Sequence, residues 1–342
     1  MPGAVGSGGG SSTTFLIASI ERPIEGFLSG ADQTAVATQP PGFSTRAISA
    51  AAFGISGRNI KQKTAYEMRE SDWSSDVCSS DLKWDRFFDE QMAFLNHRLV
   101  ADARLRAGMR VLDLGSGTGY PALLGAQTVG PSGSVIGIDL AEQMLAVARR
   151  KATALGLANS TFRTGDVTAL PFEANSFDAV TSRFCLMFLP EIPKAAAEIA
   201  RVLKPGGWVA TAVWSAPERN PSIGLSMEAI KKVVELPPPD PTAPGIFRLA
   251  KPDDLAVILQ QAGLVDVIDQ EFLAEWSYAS AEEYYTSLME IAAPVQNLMA
   301  KLSAPQVQEV RSLITQAATQ YQRSNRITFP LAVRMVAARK PL

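Results

Sequence analysis

The run Val111-Leu112-Asp113-Leu114-Gly115-Ser116-Gly117-Thr118-Gly119-Tyr120 limits what this chain can fold into more than any other stretch. The apolar residues Met109 to Leu112 predict a short buried strand and Pro121 to Thr128 a helix, with three glycines on alternate positions between them. Glycine tolerates positive φ and leaves backbone amides bare, so a glycine turn at a strand end suits a nucleotide-like ligand. Strand, glycine loop and helix in this order form the opening unit of a doubly wound α/β sheet.

The acid before the glycines selects among ligands. A dinucleotide fingerprint would read G-x-G-x-x-G, but the position of its last glycine is shifted here and Tyr120 follows Gly119. Asp113, two residues before Gly115, would repel a pyrophosphate across a partly desolvated site, whereas a cationic ligand would favour it. The pattern Asp113-x-Gly115-x-Gly117-x-Gly119 closely resembles the first motif of the class I S-adenosylmethionine (SAM)-dependent methyltransferases. That resemblance implies a Rossmann-like, mostly parallel seven-stranded sheet with the last strand antiparallel, and SAM, which carries an ammonium and a sulfonium, as cofactor.

Later landmarks extend the resemblance. Ser134 to Ile138 reads as a second buried strand ending in Asp139. An acid there can cap the next helix or accept both ribose hydroxyls, and its distance from the glycine loop favours the ribose. Leu140 follows it, and Ala141, Met144, Leu145, Ala148, Ala152 and Leu155 form a helical stripe that stops at Gly156. Met144 is either core or a contact to the adenine edge. Thr161 to Thr164 predicts a third strand closed by Gly165-Asp166-Val167. In the resembled family the acid here accepts the adenine amino group and the next amide meets a ring nitrogen, positions that Asp166 and Val167 match; a plain turn acid is the other reading. A fourth strand runs into Ser182-Arg183-Phe184-Cys185, at the strand end that faces the methyl group in that family. It lacks the Asn/Asp-Pro-Pro-Tyr/Phe motif of enzymes that methylate base or glutamine amines. Arg201 to Gly207, Arg-Val-Leu-Lys-Pro-Gly-Gly, is a structural landmark of the ubiquinone-biosynthesis-like, type 11 members, and Trp208 to Trp214 reads as the fifth strand.

The expected cofactor set is therefore Asp113, Gly115, Ser116, Gly117, Gly119, Asp139, Leu140, Met144, Asp166, Val167, Ser182 and Arg183. Methyl transfer from a sulfonium needs alignment and exclusion of water more than a nucleophile. An oxygen or carbon acceptor would want a base, for which His97 and Tyr120 are candidates beside a lid tyrosine; His97 reads first as an ordinary exposed or partly packed helix histidine. Beyond Trp214, Pro217 to Phe247 reads as a proline-rich excursion, Lys251 to Ala262 as a helix, Val265 to Phe272 as the sixth strand and Ile327 to Ala338 as the last. The region 281–323 between these strands is expected to form a helical lid insertion whose Tyr284, Tyr285 and Met289 suit an apolar or aromatic substrate and read equally well as core packing.

Composition excludes several alternatives. A net charge of −2 over 342 residues offers no field for nucleic acid or an anionic membrane, and two cysteines with one histidine make neither a disulfide framework nor a metal cluster. No run is long enough to span a membrane, and a reducing cytoplasmic setting fits. The domain organisation read from the sequence is a segment 1–71 of doubtful origin, Gly/Ser-rich at its start, then Asp72 to Leu82, then the methyltransferase-like domain 83–342, which opens on a helix carrying Phe87, Phe88, Met92, Phe94, Leu95 and Leu99. Asp72 to Leu82 resembles a translated sequencing-library adapter, with a Ser/Asp-rich linker as the other reading. The activity implied is methylation of a small-molecule acceptor; an NAD(P)-dependent oxidoreductase and a non-catalytic SAM-binding protein are the rivals.

Overall fold

In the computed structural model the described residues are 84–236 and 243–342. The segments 1–71 and 72–82 lie outside them. The described residues build an eight-stranded sheet, ordered β3-β2-β1-β4-β5-β8-β6 with β7 paired to β8. The strands are β1 Arg110–Leu114, β2 Ser134–Asp139, β3 Ser160–Thr164, β4 Phe177–Arg183, β5 Leu203–Trp214, β6 Val265–Tyr278, β7 Gln322–Arg323 and β8 Arg326–Arg339. β1 pairs in parallel with β2 and β4, β2 with β3, and β4 with β5, while β8 runs antiparallel between β5 and β6. This is the expected mostly parallel sheet with an antiparallel last strand, to which the two-residue β7 is an addition.

The helices follow from the apolar spacing. Residues 84–91 form α1, and a turn at Met92 separates it from α2, Ala93–Asp102, so the single leading helix expected from the sequence is broken. The others before the sheet's second half are α3 Ala122–Val129, α4 Glu142–Ala154 and α5 Ile192–Val202. Helix α5 buries Ile192, Ala195, Ala196, Ile199 and Val202, a stripe at i, i+3, i+4, i+7 and i+10 that seats it on the sheet. The proline-rich excursion contains a helix that its prolines concealed, α6 Pro221–Val233, which begins with proline in its first turn, where the missing amide costs nothing. Helix α7, Asp254–Gln261, precedes β6. The fifth strand, expected from Trp208, begins earlier: Lys204 to Gly207 are already part of β5.

The insertion between β6 and β8 is helical as expected: α8 Ala281–Ile291, α9 Ala293–Met299 and α10 Ala304–Thr319, with Gln322 and Arg323 instead entering β7. Helix α10 packs on α6 and α8. Because β8 is antiparallel, its start and the end of β6 lie at the carboxyl ends of the parallel strands, which places the insertion at the same end of the sheet as the glycine loop. All described residues belong to one compact unit, and among them no helix is long and apolar enough to cross a membrane.

Candidate functional site

The strand order reverses between β2 and β4 on either side of β1, and a crevice opens at such a switch point beyond the carboxyl ends of the strands. The glycine loop lies there. Gly115, Gly117 and Gly119 all have positive φ, at 66°, 49° and 120°. The loop is held from the neighbouring strand: the Ser116 amide donates to the Ile138 carbonyl and the Gly117 amide to Asp139 Oδ2, both at 2.9 Å. Close approach also depends on Gly137, where a β-carbon would come within 2.7 Å of Ser116 Oγ and 2.6 Å of the Phe162 ring.

Asp113 lies in mid-sheet, opposite Gly137 on β2 and Thr181 on β4. It is fully buried. Its Oδ1 accepts from the Thr181 hydroxyl at 2.6 Å, and its Oδ2 has no partner. Burial is the main cause of its raised pKa, about 7, opposed by the Thr181 hydroxyl and the nearby Arg183 charge. An orphaned carboxylate oxygen costs desolvation energy that a ligand's donor recovers.

At the tip of β2, Asp139 accepts the Ala141 amide on Oδ1 and the Gly117 amide on Oδ2. It therefore supports the start of α4 and the loop at once, and burial raises its pKa despite these donors. Leu140 beside it is exposed, and Met144 leaves the core stripe: its Cε lies 3.2 Å from where a Gly117 β-carbon would sit. Asp166 closes β3, with Oδ1 accepting the Thr168 amide and hydroxyl at 2.7 and 2.8 Å; Val167 is buried next to it. The Gly165 amide donates to the Asp139 carbonyl, so the ends of β2 and β3 are tied together. Ser182 closes β4 with its hydroxyl on the Leu114 carbonyl at 3.0 Å.

The fold brings these expected residues together along the ends of β1, β2, β3 and β4. His97 stands apart, exposed on α2, whereas the buried side of that helix presents Asn96 to Arg183 at 2.9 Å. Tyr120 is half-buried under the Lys151 ammonium, 5.1 Å from its ring, and burial with the nearby Asp89 charge raises its pKa, so it is a neutral phenol near pH 7. Tyr284 is a core residue whose hydroxyl donates to the Ser222 carbonyl.

Three features were beyond sequence reasoning. Cys185 packs on the glycine loop, its Sγ 2.6 Å from where a Gly115 β-carbon would be, and burial raises its pKa so that it stays a thiol. Phe184 has φ 55° and stacks on Trp214 with ring centroids 4.3 Å apart at 7°, a left-handed bulky residue of the kind that collects at functional sites. From that stack an aromatic chain continues through Trp276 and Tyr278 to Tyr284, and α1 adds Phe88 on Trp276 and Phe87 on Tyr278. No periodicity in the sequence signals that these rings, far apart in the chain, meet at one strand end. An open concavity bordered by Arg149, Thr153, Gly156 and Ser160 lies beside β3 at the far end of α4, away from these groups.

The site thus offers a glycine loop at a switch point, its Ser116, Gly117 and Gly119 amides already bonded within the protein, a buried acid with a free oxygen and a second acid at the adjoining strand tip. This chain matches the family model of a methyltransferase domain over residues 111–207. It is 40% identical over 139 residues to a demethylmenaquinone methyltransferase of Staphylococcus aureus (strain JH9), covering 40% of this chain and 57% of that protein. It is also 40% identical over 126 residues to a demethylmenaquinone methyltransferase of Symbiobacterium thermophilum, covering 36% of this chain and 46% of that one. The chain spans about half the length of these curated relatives. A solved structure of a candidate methyltransferase from Bacillus halodurans shares the fold, with 22% identity, a TM-score of 0.50 and coverage of 72% of this chain and 99% of that one.

The residues present fit SAM. The orphaned Asp113 oxygen suits an ammonium, and Asp139 keeps lone pairs for ribose hydroxyls beyond those that take Gly117 and Ala141.

Proposed function

We propose that this protein transfers a methyl group from SAM to a small-molecule acceptor with an apolar or aromatic ring. The observation that carries the reading is the fully buried Asp113, whose free Oδ2 lies beside a glycine loop that Asp139 braces. When bound, the cofactor supplies a methyl already activated by the sulfonium. The chain's own residues then align and desolvate. Asp139 fixes the nucleoside end against the side-chain-free surface of the glycine loop, Asp113 fixes the ammonium, and the rings of Phe184, Trp214 and Trp276 keep water from the strand end where the acceptor approaches. In the displacement the acceptor's lone pair forms the new bond to carbon as the carbon–sulfur bond breaks, and an acceptor proton leaves to water or to a base.

The sheet's rings favour an apolar acceptor, and demethylmenaquinone methyltransferases among the relatives agree with an organic small molecule. A cytoplasmic location accords with the reading. The purified full chain, incubated with isotopically labelled SAM and a fractionated metabolite extract, is expected to yield a methylated product whose mass identifies the acceptor. Failure to label any metabolite while SAM still binds would favour a protein that holds SAM without turnover.

A further inference from the structure

An open sheet has two edges, and edge amides and carbonyls left uncovered are a template for another strand. The two edges of this sheet differ. At β3 the outward carbonyl of Phe162 takes two donors from Arg149, Nε at 3.0 Å and Nη2 at 2.7 Å. The other edge is β6, bonded only to β8. Near its end Ser277 is capped as well: its amide donates to Gln91 Oε1 at 3.2 Å and its carbonyl accepts from Arg326 Nη2 at 3.0 Å.

The middle of β6 has no such cover. Leu273 lies opposite Ala332 of β8, whose amide donates to Asn220 and whose carbonyl accepts the Ser215 amide, both away from β6. The Leu273–Ala332 pair therefore exchanges no bonds, and Leu273 turns its amide and carbonyl off the free edge, as Glu271 and Glu275 do by alternation. Among the described residues nothing bonds these outward groups. The Leu273 side chain is 61% exposed, more than any other Leu, Ile, Val or Met of the sheet.

The bare stretch is self-complementary. Glu271-Phe272-Leu273-Ala274-Glu275 is symmetric in charge about Leu273. Laid antiparallel on a second copy about a two-fold axis at Leu273, it sets Leu273 on Leu273, Glu271 across from Glu275, and the Phe272 ring over the small Ala274 of the facing strand. Facing carboxylates would repel if they were unpaired, but each brings its own cation: Glu271 has Arg219 at 2.9 Å and Glu275 has Arg323 at 2.5 Å. Phe272 is already oriented by its stack on Phe94 of α2, with centroids 5.4 Å apart.

We propose that β6 is a self-association edge, at which two copies of this chain pair antiparallel about Leu273 and join their sheets into one. The two Leu273 residues exchange amide-to-carbonyl bonds, and Glu271 of each copy does so with Glu275 of the other. The ladder stops at Ser277, whose edge groups are already taken. The inference stands apart from the function proposed above.

Sedimentation velocity on the full-length chain over a hundredfold concentration range is expected to show a monomer–dimer equilibrium. Leu273→Lys and Leu273→Pro weaken it at least tenfold; the proline removes only an outward amide, which an edge strand tolerates. Leu155→Lys, at the end of α4, leaves it unchanged, and an unaltered thermal midpoint in Leu273→Lys shows that the edge and not the fold was changed. Engineered cysteines read the register. Across a bonded antiparallel pair the Cα atoms lie about 5.5 Å apart, within the roughly 4.4–6.8 Å that a disulfide spans. Under mild oxidation Leu273→Cys should cross-link to dimer beyond the wild-type level, Glu271→Cys and Glu275→Cys should not when separate, and a mixture of those two should. A wild type that stays monomeric over the whole range, a dimer indifferent to Leu273→Lys, or cross-linking by Glu271→Cys without Glu275→Cys overturns the proposal.

Discussion

Asp139 accepts the Gly117 amide through Oδ2 at 2.9 Å while its Oδ1 accepts the Ala141 amide at 2.9 Å, so one carboxylate joins the glycine loop to the start of α4. The side chain proposed to read the ribose is therefore also a structural tie. Asp139→Ala is expected to weaken SAM binding by roughly 1–3 kcal/mol, with a loss of stability from the two amides left without their acceptor. Calorimetry and thermal unfolding on the same variant separate the two effects; a folded variant with wild-type affinity removes Asp139 from the site.

The contact between Gly115 and Cys185 predicts a coupling. Gly115→Ala places a β-carbon 2.5 Å from Cys185 Cβ and 2.6 Å from its Sγ, at a residue whose φ is 66°. The clash and the dihedral strain should together cost roughly 1–3 kcal/mol. Cys185→Gly relieves the clash and leaves the strain, so in denaturant unfolding the double variant should be more stable than the two single losses summed. Strict additivity would mean that the two residues do not press on each other.

Asp113 should make SAM binding depend on pH. Burial lifts its folded-state pKa to about 7, so the ligand-free protein holds this acid largely protonated at pH 6. An ammonium prefers the carboxylate, and affinity is expected to rise about fivefold between pH 6 and 7, about tenfold by pH 8, and level off above that. In Asp113→Asn that slope disappears. The same shift has the opposite sign for stability: the folded form binds the proton more tightly than the unfolded chain, so this group's contribution is greatest below pH 4 and falls as pH rises toward 7. A flat affinity profile in the wild type would place the ammonium elsewhere.

The sheet and the cofactor loop could be read from the chain because they rest on local signals. Positive-φ glycines, the acids Asp139 and Asp166 at the ends of β2 and β3, and the stripe of Leu145, Ala148 and Ala152 depend on neighbours in sequence. Helix α6 escaped because Pro217 and Pro221 looked like a loop, although proline in a first helical turn is harmless. The break at Met92 was also hidden, whereas the exposed position of His97 agrees with its reading as an ordinary helix histidine. Arg183 was placed at the site from its strand end alone. Its partners Asn96 and Asp89 come from helices 87 and 94 residues earlier in the chain, a pairing that only the folded sheet creates.

The outer half of the sheet carries its own stability test. Arg334 on β8 and Asp269 on β6 form a buried pair, with Nη2 to Oδ1 at 2.7 Å and Nε also within reach. Asp269→Ala leaves a guanidinium buried without its carboxylate and should cost roughly 3–5 kcal/mol in denaturant unfolding. A loss below about 1 kcal/mol would mean that Arg334 finds water or another acid.

Titration of the full-length protein with SAM, run beside a fluorescence titration with NADH and repeated on Asp113→Asn, tests the account most directly. Saturable SAM binding, at least tenfold weaker in the variant, with no response to NADH, is the predicted result. NADH binding without SAM binding, or SAM affinity unchanged in a folded Asp113→Asn variant, would contradict it.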